Sequence, residues 1–208
     1  MLQQNATPPA TLELLKRICS LDELKLFGLG GGTNLALRTG HRISIDLDFF
    51  TNSRYDTAMV FSIITQTFPS AELLFEQNQT IMFMINNVKV DFVLYPFPWL
   101  QLFDIIESIR LISVQDIIPM KLQAVSNRNA KKDYWDIATL LRNYPLEKML
   151  NIFSSKFPQV DIGFIIHSLI NFENADMEPD PDTINNVQWN DLKHALIIAV
   201  KKYTNSLL

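Results

Sequence analysis

The chain has 208 residues, of which 48% are hydrophobic and 19% charged, so it can bury one globular core or two small ones. Its formal net charge of −4 excludes attraction of nucleic acid through a global positive field, and any RNA contact would need a local basic patch. The single cysteine excludes an internal disulfide. The lack of a secretory leader or a long apolar run predicts a cytoplasmic protein with no membrane partner.

The first part of the chain alternates helical and extended patterns. Apolar residues at helical spacing predict an amphipathic helix over about 11–25, with a possible break near Ser20. A strand is predicted at 27–30, followed by a glycine turn, a short helix that ends at about Arg38, and a strand over 43–50.

A further helix and a hairpin are predicted next. Asp56 is a favourable helix N-cap, and Pro69 would end the helix that follows. Asn86 and Asn87 tolerate left-handed backbone geometry and predict a hairpin turn. The extended patterns predict strands over 73–77, 80–85 and 88–95, and a short strand within 105–112.

The character of the chain changes near Ser113, which with Asp116 resembles a helix-capping arrangement. Helical patterns then cover about 114–127, 131–143, 146–156, 161–172 and 190–204. We therefore predict an α+β protein with an α/β core over residues 1–112 and a helical region over residues 113–208 packed on that core.

The most informative stretch combines a glycine turn with two closely spaced acids. Gly31, Gly32 and Thr33 follow a predicted strand, where backbone N–H groups can approach a phosphate closely. Asp46 and Asp48 are two residues apart in an apolar strand, so both carboxylates would lie on one face. Carboxylates and phosphates are ligands of Mg²⁺, so this stretch predicts metal-assisted chemistry on a nucleoside triphosphate. The alternative is an ordinary solvated strand face.

Basic residues separate the turn from the acids. Arg38, His41 and Arg42 place positive charge between the two elements. Anion-binding and cation-binding groups therefore lie close together in the sequence, and we expect Arg38 and Arg42 to help bind the phosphates.

A second acid-bearing strand extends the hypothesis. Lys89 and Asp91 share one face of the predicted strand 88–95. If this strand neighbours the first one, Asp91 would complete a three-carboxylate cluster with Asp46 and Asp48, which a divalent cation would stabilise. The alternative is that Asp91 only pairs with Lys89 or a surface arginine.

A third group lies on the predicted helices. Lys121 and Arg128 are seven residues apart and share a helical face, and Lys132, Asp133 and Asp136 follow. One interpretation gives Lys121 to the phosphates as a point charge, with an acid of the next helix orienting it. The other is ordinary surface salt bridging.

These motifs together resemble the nucleotidyltransferase toxins of the AbiEii/AbiGii type, a broad group that includes the MenT toxins. The likeness extends from about Leu12 to Trp189. It is carried by Gly-Gly-Thr-x-Leu-Ala-Leu-Arg-x-Gly-His-Arg-x-Ser-x-Asp-Leu-Asp-Phe-Phe at 31–50, Lys89-Val90-Asp91-Phe92, Lys121-Leu122-x-Ala124, Arg128, Lys132-Asp133-x-x-Asp136-Ile137 and Phe172-Glu173-Asn174-Ala175-Asp176.

The resemblance implies a DNA-polymerase-β-like nucleotidyltransferase fold, with a small mixed sheet flanked by helices and a C-terminal helical region. It implies an enzyme that moves a nucleoside monophosphate from an NTP to an acceptor hydroxyl, with Mg²⁺ as cofactor. It further implies the 3′ end of tRNA as a possible acceptor, as in the best-understood relatives, and a separately encoded antitoxin as a possible partner, as toxin members usually have.

Residue roles in the front half follow from the same resemblance. Asp46 and Asp48 would be metal ligands, Asp91 would be the third carboxylate, and Ser44 would be the motif serine near the triphosphate. The older polymerase-type motif has Gly-Ser where this chain has Gly-Gly-Thr, which leaves the phosphate contact of Thr33 open.

In the helical region, the resemblance makes Lys121 the phosphate lysine and either Asp133 or Asp136 the functional acid. The spacing does not choose between the two aspartates. The alternative function is a non-catalytic module of the same fold, which would bind a nucleotide or a partner protein without turnover.

Overall fold

The computed structural model describes residues 1–184 and 186–207. Contacts divide the chain into two compact units, Met1–Ser113 and the residues from Val114 onward. Asn185 and Leu208 belong to the predicted helical region and lie outside the described residues.

The first unit combines a sheet with three α-helices in its described residues. The helices are α1 (Pro9–Cys19), α2 (Gly31–Thr39) and α3 (Thr57–Thr67). The strands are β1 (Gly28–Leu29), β2 (Leu47–Thr51), β3 (Glu72–Gln77), β4 (Thr80–Ile85), β5 (Val88–Leu94), β6 (Asp104–Ile106) and β7 (Ile109–Leu111).

Among the described residues, seven strands form one sheet in the order β3-β4-β5-β2-β1-β7-β6. β2 pairs with β5 and β1 pairs with β7 in parallel, whereas the other neighbours are antiparallel. The predicted mixed sheet flanked by helices is therefore confirmed. Its central strands bury aromatic side chains, and Phe49 of β2 stacks on Phe92 of β5 with ring centroids 5.3 Å apart.

Two local predictions in this unit are confirmed. The Asp56 side chain accepts a hydrogen bond from the Ala58 backbone N–H at 2.9 Å and caps α3. Asn86 and Asn87 both have left-handed backbone, with φ of 50° and 63°, and connect β4 to β5.

Several element boundaries in this unit differ from the prediction. The helix predicted over 11–25 ends at Cys19, so the possible break near Ser20 is confirmed. The hydroxyl of Ser20 donates to the Arg17 carbonyl and caps the last turn, and a 3₁₀ turn follows at Asp22–Leu24. The segment predicted to contain one short strand within 105–112 is the β6–β7 hairpin. Its turn residues Glu107 and Ser108 have left-handed φ of 51° and 64°, a backbone geometry that neither residue type favours.

Strand β3 lies at one edge of the sheet and exposes apolar side chains. Leu73, Leu74 and Phe75 are 43%, 49% and 42% exposed. The register against β4 shifts between Leu73 and Phe75, which marks a β-bulge at Leu74.

The second unit is helical in its described residues, as predicted. Its helices are α4 (Val114–Arg128), α5 (Lys131–Leu140), α6 (Leu146–Lys156), α7 (Ile162–Leu169), α8 (Glu173–Met177) and α9 (Trp189–Asn205). α7 is shorter than the predicted helix over 161–172, and α8 is an additional short helix. Helix α4 packs against α5, α6 and α7, and Trp135 of α5 stacks on Trp189 of α9 with centroids 5.8 Å apart. Within the described part of the chain, no helix has the length and apolarity needed to cross a membrane.

Candidate active site

The glycine turn lies directly against predicted site residues. Gly31 has a left-handed φ of +61°, and a Cβ atom built on it would lie 2.2 Å from Oδ2 of Asp48. A Cβ atom on Gly32 would lie 2.1 Å from Nη2 of Arg42 and 3.3 Å from Oγ of Ser44. Both glycines are therefore required for the backbone to approach these side chains closely.

The segment before β2 is held by hydrogen bonds outside the sheet. Strand β2 begins at Leu47, so the prediction of a strand over 43–50 is wrong for its first residues, and Asp46 precedes the strand. Ser44 N–H donates to the Ala6 carbonyl at 2.9 Å. The hydroxyls of Thr33 and Ser44 lie 2.8 Å apart, and the Thr33 hydroxyl also donates to the Asp46 carbonyl. Thr33, in the first turn of α2, thus holds in place the segment that leads to Asp46 and Asp48.

Strands β2 and β5 bring two of the predicted carboxylates side by side. Asp48 and Asp91 are direct register partners in this parallel pair, so both side chains lie on the same face of the sheet at a strand spacing of about 4.8 Å. Leu47 and Phe49 point to the other face and are fully buried, as predicted. Lys89 lies on the same face as Asp91, and its ammonium contacts Oδ2 of Asp91 at 2.5 Å.

The other carboxylate oxygen of Asp91 has an unusual environment. Oδ1 is buried and has no hydrogen-bond partner in the structure. A buried carboxylate oxygen without a donor costs free energy until a donor or a cation reaches it. Within residues 1–184 and 186–207, no three His, Cys, Asp or Glu side chains are arranged as a metal-binding group.

The predicted phosphate-binding arginines have different surroundings. Arg38 donates to Asn34 Oδ1 at 2.8 Å and forms an ion pair with Asp104 at 2.7 Å. It also donates to the Ile112 carbonyl, so its guanidinium ties α2 to the β6–β7 region. Arg42 is buried and lies against Gly32 of the glycine turn.

Asn34 was not predicted as a site residue, although it lies inside the first motif. Its buried side-chain amide donates to the Leu29 carbonyl at 2.7 Å and to the Ile112 carbonyl at 2.9 Å. These bonds join the end of β1, the start of α2 and the chain after β7. A buried Asn directly after a glycine turn is the signal that sequence reasoning overlooked.

The helical unit brings its own predicted residues together. Lys121 Nζ lies 2.6 Å from Asp136 Oδ2 and 3.2 Å from Asp133 Oδ1. Arg128 donates to both carboxylate oxygens of Asp133, at 2.6 and 2.8 Å. The three residues Lys121, Asp133 and Asp136 are buried, which contradicts the alternative that these ion pairs are ordinary surface salt bridges.

Asp133 is held in its charged form. Burial raises the pKa of the Asp133 carboxyl, but the hydrogen bond from Arg128 and the charges of Lys121 and Arg128 outweigh burial and lower the pKa below its usual value. A second buried ion pair in this unit, between Lys156 and Asp116 at 2.5 Å, was not predicted. The two residues are far apart in sequence, and no local pattern links them.

Comparison with known proteins identifies the family. A profile of the nucleotidyl transferase AbiEii toxin family, described as a type IV toxin–antitoxin system, matches residues 13–203. The chain belongs to the AbiEii nucleotidyltransferase toxin family. It is therefore an enzyme of nucleotidyl transfer, and the predicted family is confirmed.

One curated protein and several solved structures are similar to this chain over most of its length. The chain is 30% identical over 199 residues to the uncharacterized protein aq_aa25 of Aquifex aeolicus, which covers 92% of this chain and 94% of that protein. The structure of JHP933 from Helicobacter pylori is similar with a TM-score of 0.61, 15% identity and 97% coverage of each chain. The nucleotidyltransferase toxin MenT4 from Mycobacterium tuberculosis is similar with a TM-score of 0.60, 13% identity and coverage of 92% of this chain and 82% of that chain. The polymerase-β-like nucleotidyltransferase fold is confirmed.

Proposed function

We propose that this AbiEii protein transfers a nucleoside monophosphate from an NTP to an acceptor hydroxyl, with Mg²⁺ as its metal cofactor. The observation that carries the proposal is the pair of in-register carboxylates, Asp48 and Asp91, beside the glycine turn at Gly31. The turn opens α2, whose first backbone N–H groups and helix dipole favour a phosphate. The metal-binding carboxylates and the anion-binding backbone amides would therefore lie at the same triphosphate.

The donor set fits a hard divalent cation. Mg²⁺ needs only one or two protein carboxylates when substrate phosphates and water supply the remaining oxygens. Asp48 and Asp91 lie on one face of the sheet, and Asp46 is two residues before Asp48, immediately ahead of β2. Oδ1 of Asp91 has no hydrogen bond. When bound, Mg²⁺ would neutralise charge on the triphosphate and on the attacking and leaving oxygens.

The chain's own residues supply the remaining chemistry. The glycine turn would bind the β- and γ-phosphates through backbone N–H groups, and Arg42 would add positive charge beside it. Thr33 holds the Asp46 segment in place, and Ser44, whose hydroxyl lies 2.8 Å from that of Thr33, would be the motif serine near the triphosphate. The carboxylates could also accept the proton of the attacking hydroxyl.

The helical residues keep the roles that the family resemblance implies. We propose that Lys121 contributes charge to the triphosphate and that Asp136 orients its ammonium, from which it is 2.6 Å away. Asp133 is engaged by Arg128 through both oxygens, which favours a structural role for it. We also propose that residues 1–112 form the nucleotidyltransferase core and residues 113–208 its helical region.

We propose the 3′ end of tRNA as acceptor and a separately encoded antitoxin as partner. The support is family membership, since the family is described as a toxin of a type IV toxin–antitoxin system and MenT4 as a nucleotidyltransferase toxin. Because the net charge is −4, RNA binding would depend on local basic residues and would weaken steeply with salt.

The decisive experiment compares the wild-type protein with Asp46→Asn. Purified proteins are incubated with Mg²⁺, each α-labelled NTP in turn, and total tRNA. We expect labelled RNA from the wild type and a decrease of about hundredfold or more in Asp46→Asn, because several kcal/mol of charge stabilisation would be lost. Far-UV circular dichroism should be unchanged.

Asp22→Asn is the matched control, because Asp22 is an exposed acid on the 3₁₀ turn after α1 and should leave the labelling unchanged. Equal labelling by Asp46→Asn and wild type would contradict the mechanism. Binding of NTP without any product, across all four NTPs and several acceptors, would instead favour the non-catalytic alternative.

A further inference from the structure

Lys89 lies beside the proposed metal ligands, but the proposed function gives it no role. It precedes Asp91 by two positions on β5, so both side chains project from the same face of the sheet. Its ammonium lies 2.5 Å from Oδ2 of Asp91, and the strand register sets Asp91 directly beside Asp48 of β2. A positively charged side chain therefore lies at the acids that would bind a metal.

The position of Lys89 is set by the ion pair and by the strand register. The Lys89 ammonium lies 2.5 Å from Oδ2 of Asp91. Asp48 is the register partner of Asp91, so its side chain projects from the same face of the sheet as Lys89 and Asp91. A lysine ammonium is therefore attracted to the carboxylates that would bind a divalent cation.

Burial distinguishes the two partners of the ion pair. The side chain of Asp91 is 8% exposed, whereas that of Lys89 is 39% exposed. Lysine carries its charge on a long flexible stem, so Lys89 can swing into solvent without disturbing the sheet. Asp91 is fixed in the strand, and its Oδ1 remains buried without a hydrogen bond while Lys89 contacts only Oδ2.

We propose that Lys89 is a positioning residue that serves as a displaceable counter-cation: it holds Asp91 in the metal-free enzyme and leaves it when a divalent cation binds. The inference rests on the proposed metal-dependent function, because a divalent cation bound to Asp91 would repel the Lys89 ammonium that lies on the same carboxylate. Competition weakens metal binding in the absence of nucleotide. Triphosphate oxygens would add ligands and shift the balance, so that metal and NTP bind together.

The charge-removing variant Lys89→Met tests this competition. Methionine has a similar length but no charge, so the acids would attract a cation more strongly. We expect Mn²⁺, used as the probe in the absence of nucleotide, to bind about tenfold more tightly, as expected for removal of a unit charge at close range in a partly solvated site. Binding is measured by isothermal titration calorimetry and by the Mn²⁺ electron paramagnetic resonance signal.

Three further variants separate charge from structure. Lys89→Arg keeps the charge and should retain wild-type Mn²⁺ affinity within about twofold. Lys89→Gln keeps a hydrogen-bond donor without the charge and should bind Mn²⁺ more tightly, which preserves the test if Lys89→Met fails to fold. Lys25→Met removes an exposed lysine on the turn after α1 and should leave the affinity unchanged.

Thermal unfolding gives a second readout. In EDTA, Lys89→Met should have a lower Tm than the wild type, because Asp91 loses its ion-pair partner. Saturating Mn²⁺ should raise the Tm of the variant by more than that of the wild type. A purely structural role of Lys89 would lower the Tm and weaken Mn²⁺ binding together.

The failure of this inference and the failure of the proposed function give different results. If the wild type binds Mn²⁺ and both uncharged variants bind it equally or more weakly, displacement of Lys89 is wrong, while metal dependence stands. If neither the wild type nor any variant binds Mn²⁺, with or without NTP, the proposed metal-dependent function is wrong. The inference about Lys89 is then wrong as well.

Discussion

Asp91 and Asp133 are both buried aspartates with a lysine partner, yet the hydrogen bonding of their carboxylates differs. Asp133 receives hydrogen bonds on both carboxylate oxygens, from Lys121 and Arg128. Asp91 receives one on Oδ2 from Lys89, and its Oδ1 has none. A fully satisfied buried charge holds a fold together, whereas a partly satisfied one is available to a ligand. The contrast separates a carboxylate that supports structure from one that is suited to chemistry.

The largest effect on stability is expected from Asp133→Asn. Loss of this charge leaves Lys121 and Arg128 facing an amide, and removal of one partner from a buried ion pair costs about 3–5 kcal/mol. Because part of Arg128 is exposed, the lower end of this range is expected. Urea denaturation followed by circular dichroism measures the difference. A loss of less than about 1 kcal/mol would contradict the structural role assigned to Asp133.

The same variant has a predictable pH dependence. The pKa of Asp133 is lowered in the folded protein, so its contribution to stability is present above the unfolded value near 3.8 and decreases as the pH falls toward the folded pKa. The difference in unfolding free energy between wild type and Asp133→Asn should therefore be constant from neutral pH to about pH 5 and shrink below pH 4. A difference that grows on acidification would contradict the assigned direction.

A smaller effect on stability, but a selective one on chemistry, is expected from Gly31→Ala. Both Gly31 and Gly40 have left-handed φ, of +61° and +65°, where alanine costs about 1–2 kcal/mol. Only at Gly31 would the new Cβ collide with the Asp48 carboxylate; at Gly40 it would lie 3.2 Å from the flexible Gln3 side chain. Gly31→Ala should therefore lose nucleotidyl transfer, while Gly40→Ala should retain it at a similar cost in stability.

Thermal unfolding and the labelling assay, applied to both glycine variants, measure these effects. Equal activity of Gly31→Ala and Gly40→Ala would mean that close packing of the turn on Asp48 is unimportant for the reaction.

The smallest effect is expected from Asp180→Asn, which is the matched control for Asp133→Asn. Asp180 pairs with Lys131 at 3.0 Å, but its side chain is 57% exposed, and Lys131 also donates to the Glu178 carbonyl. Exposed ion pairs contribute about 0.2–1 kcal/mol, so the urea midpoint should shift only slightly. A loss as large as that of Asp133→Asn would show that burial does not explain the difference.

Features encoded by adjacent residues were predictable from the sequence. The Asp56 cap and the Asn86-Asn87 turn depend on side chains that act on their own backbone, so local patterns identify them. The β6–β7 turn was missed because Glu107 and Ser108 are held in left-handed geometry by pairing of the strands around them. The late start of β2 was missed because Ser44 bonds to Ala6, a contact that no local pattern encodes.

In the candidate site, too, local features were predictable from the sequence and long-range contacts were not. The glycines and Asp48 were predictable because motif and chemistry coincide at short range. The ion pair of Arg38 with Asp104, and the burial of Lys121 with both helical aspartates, depend on packing between elements distant in sequence. Lys89 was considered only as a partner of Asp91, because its relation to Asp48 depends on the parallel pairing of β2 with β5.

The exposed edge strand β3 has a consequence for the behaviour of the protein at high concentration. Unpaired apolar edges promote stacking of one copy on another. In antiparallel pairing of two copies centred on Leu74, Glu72 of one copy would lie opposite Glu76 of the other, and like charges in that position repel. The bulge at Leu74 also interrupts the regular ladder that a second strand would need. The strand thus combines an apolar surface with features that oppose growth into fibrils.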